Sequence, residues 1–296
     1  AAKTKDVIND PYYERANGVI GALSNRDGYT VYTSLSYAKN GLGITLEGKR
    51  TQDFAFRNTP FATGVQGAIN FLPPMAKQNT YRLTARFSPA TQELGEQALQ
   101  ADIRYRLNKN LDLGINFSEI QTLKNVELYR EIAPEFTYKY KRKWQLIGGV
   151  QVLKYNIGVY QGTEKGTYVD AVTPYAEYLY KFTPRRSIRI EAQYLSTQEE
   201  FGSWVNALAE VGWAPHWLVY VSDMYKLDHS GSGQFTEEQT KYDGLHYPSV
   251  GVVYTRRANR FSLAYVKQVE GINCAGGICR LEPTFSGVRL NVSSSF

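Results

Sequence analysis

The chain has 296 residues, of which 43% are hydrophobic and 14% aromatic, and a formal net charge of +6 from 34 basic and 28 acidic residues. No run approaches the roughly 18 consecutive apolar residues of a membrane-spanning helix, which excludes a helical membrane protein. Basic residues are interspersed with acidic ones and form no long arm, which argues against a nucleic-acid-binding protein. A transmembrane β-barrel stays compatible with this mild polarity, because its strands alternate lipid-facing and water-facing residues.

The N-terminal residues 1–27 are predicted to be an extended segment or loop, and residues 28–296 a transmembrane β-barrel. The start, AAKTKDVINDPYYERANG, lacks the apolar stretch of a signal peptide, so either a leader was removed or the chain begins upstream of Ala1. Because this start reads like the end of a strand, the barrel could be the C-terminal part of a larger one.

Period-two alternation of apolar and polar residues recurs from about residue 28 to the end. It predicts an all-β, antiparallel up-and-down barrel with at least 14 strands, bacterial barrels being normally even in strand number. The strands are predicted to start near residues 28, 41, 81, 97, 110, 129, 143, 169, 185, 203, 217, 247, 260 and 284.

Two kinds of connection alternate along the chain. Short basic or Pro-containing turns occur at residues 108, 141, 183, 214 and 256, and longer Gly-, Ser- and acid-rich loops near 161, 196 and 228–247. Outer-membrane barrels sort their turns and loops in this way. The turn at 38–41 looks short, yet three predicted strands between it and the turn at 108 place it at the opposite end. Either residues 56–80 hide a strand or enter the lumen, or the turn at 38–41 is an exposed hairpin.

Aromatic residues crowd at strand ends next to the short turns. Tyr and Trp suit strands in general, but they also sit at the headgroup level of a bilayer. The crowding favours an aromatic girdle of Tyr138, Tyr140, Trp144, Tyr178, Tyr180, Phe182, Trp213 and Trp217.

Charged residues follow the opposite phase of the alternation, where they would face a lumen; a basic residue at the lipid midplane would cost about 2–4 kcal/mol. Their mixed signs predict a salt-bridged wall without strong ion selectivity, in which the excess of Arg slightly favours anions. The same wall could fill a lumen that conducts nothing. The predicted lumen-facing set is Glu47, Lys49, Arg82, Arg86, Asp102, Arg104, Arg106, Glu135, Lys139, Glu177, Lys181, Arg189, Glu191 and Arg289.

The C-terminal stretch TFSGVRLNVSSSF places Val288, Leu290, Val292 and Phe296 in one phase of the alternation. A last strand with this side toward lipid explains the pattern, because a bilayer tolerates a sheet only when its edges are closed. The terminal Phe also resembles the C-terminal signal read by the barrel-assembly machinery of Gram-negative outer membranes, which is the predicted partner during biogenesis.

Cys274 and Cys279 are separated by Ala-Gly-Gly-Ile, a flexible stretch that can bring two Cα atoms within bonding range. In an exported protein a disulfide is the preferred interpretation, with two free thiols as the alternative. A metal site is not expected, because no second ligand pair is nearby.

The loop 228–247 contains His229 beside an Asp and two Ser residues, followed by several acids. A catalytic site or a cation site could be drawn here, but no second acid is placed for catalysis and EF-hand spacing is lacking. A hydrated loop rich in turn-forming residues explains the pattern, so neither an enzyme nor a cofactor or metal is expected.

Four stretches of the chain resemble an uncharacterised family of outer-membrane barrels from Bacteroidota. They are GLGITLEGKRTQDFAFR, NFLPPMAKQNTYRLTARFSPATQ, APHWLVYVSDMY and YTRRANRFSLAYVKQVEGINCAGGICRLEPTFSGVRLNVSSSF. The similarity covers nearly the whole chain, and CAGGICR followed by the last strand is its most specific part. The resemblance implies an outer-membrane barrel with further strands before the position of Ala1, and no activity for particular residues.

These patterns predict a bacterial outer-membrane protein in contact with lipid, acting as a porin-like channel or transport protein for small polar solutes. The alternative is a non-conducting structural subunit of an export or assembly complex, with other outer-membrane proteins as partners. Nucleic acid is not an expected partner.

Overall fold

The computed structural model describes residues 2–14, 20–54, 58, 69, 72–92, 95–161, 168–198, 202–227, 243–269, 271–275 and 278–295. Of residues 2–14, 20–26, 271–275 and 278–282 it describes the backbone alone. The strands in this part of the chain are β1 (Ala2–Glu14), β2 (Ile20–Lys39), β3 (Leu42–Gln52), β4 (Gly95–Arg106), β5 (Leu111–Gln121), β6 (Glu127–Tyr140), β7 (Trp144–Tyr155), β8 (Val169–Thr183), β9 (Arg186–Leu195), β10 (Trp204–Trp213), β11 (Trp217–Lys226), β12 (His246–Arg256), β13 (Asn259–Gln268), β14 (Gly271–Ala275), β15 (Ile278–Glu282) and β16 (Phe285–Ser294). A short helix, α1 (Ile157–Gln161), follows β7. Within the described ranges, no helix is both long and apolar enough to cross a bilayer.

The strands form one antiparallel sheet of 14 strands in chain order, from β1 to β13 and then β16. β14 and β15 form a separate hairpin within the connection from β13 to β16. The predicted all-β, up-and-down antiparallel architecture with at least 14 strands is therefore confirmed. In the part of the chain that the structure describes, no pairing joins β16 to β1 or β2, so the described sheet has two edges.

The first two strands extend beyond the rest of the sheet. β1 pairs with β2 from Ile20 to Thr30, whereas β3 pairs with β2 from Tyr29 to Lys39. Residues 2–14 and 20–27, which belong to the segment expected to be extended or a loop, thus form paired antiparallel strands that project past the end of β3.

The connections divide into two groups, one at each end of the sheet. Short turns occupy residues 40–41, 107–110, 141–143, 184–185, 214–216 and 257–258. In the first of them Asn40 and Gly41 have φ of 49° and 84°, the left-handed conformations that a two-residue type I′ hairpin turn requires. We call this the short-turn end, and the opposite end, which carries the longer connections, the loop end.

The prediction of a strand that starts near residue 81 is wrong. Residues 81–87 form turns, with the Ala85 N–H donating to the Tyr81 carbonyl at 3.0 Å and the Arg86 N–H to the Leu83 carbonyl at 3.3 Å. Two strands instead of three then separate the turn at 40–41 from the turn at 107–110, so both lie at the short-turn end. The conflict in the predicted strand count came from this one element.

Residues 72–92, part of the connection from β3 to β4, lie across one face of the sheet. We call them the constriction segment, the face they cover the inner face, and the opposite face the outer face. An apolar core lies between the segment and the loop-end half of the inner face, where Leu83 and Phe87 of the segment are each 1% exposed. The strands and α1 contribute Ile120, Leu128, Tyr129, Leu153, Tyr155, Ile157, Val169, Ala171, Leu195, Trp204, Met224 and Tyr247 to this core.

Candidate functional site

The outer face carries a continuous band of exposed apolar side chains. Directly opposed positions across β3 to β8 are all apolar, and Leu46, Ile132, Val152 and Val172 among them are between 41% and 46% exposed. On β6 this band runs from position 132 to position 140, about 26 Å along the strand. That length suits the apolar band of about 25 Å of an outer-membrane barrel.

The apolar band ends sharply toward the loop end. One cross-strand rung beyond it, Glu119, Arg130, Lys154 and Asp170 stand opposite one another on β5 to β8. Arg130 Nη2 lies 3.4 Å from Glu119 Oε1, and both charged groups are partly exposed. Apolar and charged outward-facing residues are therefore separated by a single step of the alternation.

The predicted girdle residues lie on the outer face near the short turns. Trp144 is their centre on one side, with its ring centroid 5.2 Å from that of Tyr138, 5.9 Å from Tyr140 and 5.9 Å from Tyr178. Tyr180 contacts Phe182 at 5.0 Å, and Trp213 and Trp217 are 42% and 50% exposed.

Two further girdle residues escaped the sequence prediction. Trp217 contacts Tyr254 at 4.6 Å, and Tyr254 contacts Phe261 at 6.5 Å. Both flank the turn at 257–258, and the stretch YTRRANRF shows the same aromatic–basic turn–aromatic order as YKYKRKW. A search of every short turn for this order of residues would have identified Tyr254 and Phe261 as girdle residues.

The last strand, β16, carries its apolar residues on the outer face. Val288, Leu290 and Val292 are 68%, 67% and 59% exposed and stand opposite outward-facing residues of β13. Arg289, in the other phase, lies opposite the buried Ala264 on the inner face. Phe296 lies outside the described residues.

Twelve of the fourteen predicted lumen-facing charged residues lie on strands, with their side chains in the phase that faces the inner face. The other two do not lie on strands. Arg82 and Arg86 belong to the constriction segment, so strand alternation does not orient them. The Arg86 guanidinium carbon lies 4.8 Å from the ring centroid of Trp204, a side chain of the inner face. The inward phase of the strands carries Glu47, Lys49, Asp102, Arg104, Arg106, Glu135, Lys139, Glu177, Lys181, Arg189, Glu191 and Arg289.

The constriction segment first bonds to carboxylates of β6. Lys77 Nζ lies 3.3 Å from Glu135 Oε2, and Asn79 Nδ2 donates to Glu131 Oε1 at 3.2 Å. Glu131 is fully buried, whereas the Glu135 side chain is 25% exposed. The segment thus excludes water from Glu131, whereas it leaves Glu135, the next inward-facing carboxylate of β6, partly accessible to water.

Further along, the segment reaches β7 to β9. The Tyr81 hydroxyl donates to Glu177 Oε2 at 3.4 Å, and the Tyr81 ring lies 4.5 Å from that of Tyr175. Burial, with a contribution from the nearby Glu177 carboxylate, raises the pKa of Tyr81. The tyrosine therefore remains a neutral donor in the physiological pH range.

The backbone of the segment is also hydrogen-bonded to side chains of the inner face. The Leu83 N–H donates to Gln193 Oε1 at 2.6 Å, and Gln151 Nε2 donates to the Thr84 carbonyl at 3.0 Å. Both amide side chains are buried. The turn at residues 81–87 is therefore bound by its main chain as well as by Leu83 and Phe87 in the apolar core.

Beside the segment, one arginine joins three carboxylates. Arg189 Nη1 lies 3.1 Å from both Glu177 Oε2 and Glu191 Oε2, and Nη2 lies 3.2 Å from Glu210 Oε2. Glu177 and Glu191 are directly opposed across β8 and β9, an arrangement that destabilises a sheet unless it is compensated. The guanidinium between them supplies that compensation.

Toward the short-turn end the inner face is wet and carries paired charges. Arg104 Nε lies 2.9 Å from Asp102 Oδ1, Arg106 Nε 2.8 Å from Asp112 Oδ1, and Lys139 Nζ 3.7 Å from Asp112 Oδ2. The arginine side chains are each 68% exposed. The inner face therefore passes from a dry core at the loop end to a hydrated, charged surface at the short-turn end.

The remaining predicted sites fall wholly or partly outside the description. The β14–β15 backbone places Cys274 opposite Cys279, but their side chains are not among the described ones. Residues 228–242, with His229, lie outside the described ranges. His216 lies in the short turn at residues 214–216, and its Nδ1 is 2.8 Å from the Thr255 carbonyl oxygen. Among the side chains that are described, no three His, Cys, Asp or Glu residues are grouped so as to hold a metal ion.

Solved porin structures match nearly the whole chain at low sequence identity. The porin of Rhodopseudomonas blastica, in a triple-mutant form, is 9% identical with a TM-score of 0.43, over 99% of this chain and 96% of that one. OccK8 (OprE) of Pseudomonas aeruginosa is 11% identical with a TM-score of 0.47, over 97% of this chain and 84% of that one. OccD3 (OpdP) of the same organism is 11% identical with a TM-score of 0.47, over 99% of this chain and 74% of that one.

No curated protein matches the chain significantly. A family defined by sequence does match it, and the match extends over residues 1–296. The chain therefore belongs to the family of unknown function DUF6029.

Proposed function

We propose that this protein is a porin-like channel of the bacterial outer membrane that passes small polar solutes, and that the constriction segment narrows its passage. The observation that carries the proposal is the placement of residues 72–92 across the polar inner face of a sheet whose outer face is a band of apolar side chains. A sheet of this kind separates lipid from water, and a segment folded against the watery side limits what passes along it.

The solute class follows from the water-accessible part of the inner face. Arg189 with its three carboxylates, and the paired arginines near the short turns, offer hydrogen-bond donors and acceptors of both signs. Such a surface offers a polar solute hydrogen bonds in place of those that it loses with water, and it offers an apolar solute no comparable bonds. The outer-membrane lipid is then the medium around the outer face, and the barrel-assembly machinery is the proposed partner during insertion.

Conductance of the purified protein in planar lipid bilayers tests this function. We expect stepwise openings, and liposomes that contain the protein should swell in small sugars and not in large oligosaccharides. A matched variant is Arg189→Gln, which removes the compensating cation beside the segment and should raise the cation-to-anion permeability ratio. Bilayers that stay silent with correctly folded protein would contradict the channel function.

A non-conducting structural subunit is the second candidate, and one observation favours it. The loop-end half of the inner face is a dry core in which Trp204, Leu195 and Ile120 are 0% exposed, so part of the interior is filled. Extraction in mild detergent followed by native electrophoresis tests this candidate. Co-migration with another outer-membrane protein, together with silent bilayers, supports it; a monomer without partners contradicts it.

A further inference from the structure

The two ends of the constriction segment meet at one buried ion pair. Lys49 on β3 and Glu96 on β4 lie on neighbouring strands, close to where the chain leaves the sheet and re-enters it. Lys49 Nζ is 2.8 Å from Glu96 Oε1, and the two side chains are 3% and 0% exposed. We call these two residues the neck pair.

Both ends of the segment are bonded to the neck pair. Lys49 Nζ donates to the Pro73 carbonyl at 2.7 Å and to Thr91 Oγ1 at 2.9 Å. The Gln92 N–H donates to Glu96 Oε2 at 2.7 Å. A residue near the start of the segment and two residues at its end are therefore fixed to the same pair of charges.

The neck pair is better shielded from water than the ion pair of Lys77 with Glu135. The ion pair of Lys77 with Glu135 is 21% and 25% exposed, so water screens it in part. Beside the neck pair, Tyr160 of α1 is partly buried, and desolvation together with the nearby Glu96 carboxylate raises its pKa. Removing one member of a buried pair leaves the other charge uncompensated, which is far more disruptive than losing an exposed pair.

We propose that Lys49 and Glu96 are positioning residues that hold the constriction segment against the inner face and so set the width of the passage. This inference rests on the proposed channel function and deepens it. Loss of one charge releases the two ends of the segment from the sheet, which raises the fraction of molecules in which the segment has left the inner face against its remaining bonds, and the space that it occupied then becomes available to ions. The bond between Arg82 and the buried Leu83 then becomes accessible to trypsin.

The test compares Lys49→Met, Glu96→Gln and the double variant Lys49→Met/Glu96→Met. In each single variant we expect a larger single-channel conductance and a rate of tryptic cleavage after Arg82 that rises about a hundredfold, the scale of a broken buried pair when cleavage follows the open population. The double variant should lie closer to the wild type in both readouts, because it leaves no unpaired buried charge. Arg130→Gln, which breaks the ion pairs of the half-exposed Arg130 with Glu119 and Glu127, is the matched control and should change neither readout.

The outcomes separate this inference from the channel function. Single variants that conduct and are cleaved like the wild type would overturn the role of the neck pair while leaving the channel intact. Silent bilayers for the wild type would overturn the channel function, and the cleavage rates would still test the neck. If Lys49→Met does not assemble, the nearly isosteric Glu96→Gln and the double variant decide, with folding followed by heat-dependent migration in electrophoresis.

Discussion

Three glycines of the sheet lie directly beneath aromatic rings of the neighbouring strand. Gly149 stands opposite Tyr175, Gly148 opposite Phe136 and Gly251 opposite Tyr220. A Cβ atom on Gly149 would meet the Tyr175 hydroxyl oxygen at 2.5 Å and the Pro134 carbonyl oxygen at 2.8 Å. The ring covers a strand position that would otherwise be poorly packed, a known way of stabilising glycine in sheets.

The pair of Gly149 and Tyr175 also orients a carboxylate of the site. The Tyr175 hydroxyl donates to Glu135 Oε2 at 2.6 Å, and Lys77 of the constriction segment approaches the same oxygen. We expect Gly149→Ala to push the ring away and to lower the free energy of unfolding by about 1–3 kcal/mol through overpacking. Guanidinium titration of the refolded protein measures this change.

The control for this prediction is Gly48→Ala on β3. A Cβ atom there would have nothing within 4 Å, so the substitution should be neutral or stabilise by about 0.5–1 kcal/mol through reduced chain entropy. Equal destabilisation by both substitutions would show that the ring does not depend on the glycine beneath it.

At the scale of single elements, residues 81–87 show the limit of apolar–polar alternation as a signal for a strand. Tyr81, Leu83, Ala85 and Phe87 alternate with polar residues as a strand does, yet the chain turns there. Leu83 and Phe87 are four positions apart, so one helical turn also places them on the same side, against the core. A short run fits both periods, and only the long-range bonds to Gln193 and Gln151 decide between them.

The disulfide between Cys274 and Cys279 stays a prediction, and the pairing of β14 with β15 allows it to be tested. Ala275 pairs with Ile278 across a two-residue loop, so Cys274 and Cys279 form the next directly opposed pair. Opposed Cα atoms in antiparallel strands lie about 4.5–5.5 Å apart, within the range that a disulfide spans. Intact-mass spectrometry of protein from an oxidising compartment should show a mass lower by two hydrogen atoms, regained after reduction. Ready alkylation of both thiols without reduction would exclude the bond.

At the scale of the whole molecule, the sorting of residues between the two faces was largely predictable. Strand order, the short turns and the inward phase of most charges follow from local patterns that repeat along the chain. The constriction segment did not follow, because its contacts join residues far apart in sequence, as in the neck pair. The sequence therefore predicted the two faces of the sheet, whereas for the connection from β3 to β4 it offered entry of residues 56–80 into the lumen only as one of several alternatives, and it predicted a strand at residues 81–87.

The apolar band of the outer face makes a prediction for the molecule in a bilayer. Leu113, 40% exposed on the outer face of β5, stands opposite Phe136 in the middle of that band, so Leu113→Arg should destabilise the folded protein by about 2–4 kcal/mol. Thr137→Arg, on the inner face of β6, should cost less than about 1 kcal/mol because its charge meets water and Asp112. Folding yield and guanidinium titration in lipid vesicles measure both variants. Equal costs would show that lipid does not surround the outer face.

The long reach of the constriction segment also fixes an order of events during biogenesis. The Leu83 N–H finds its acceptor on Gln193, 110 positions later in the chain. Most pairings between neighbouring strands require only short loop closures, whereas this contact cannot form before β9 has joined the sheet. We therefore expect the constriction segment to complete its contacts with the inner face late in folding, and an intermediate that lacks β9 should leave this part of the inner face uncovered.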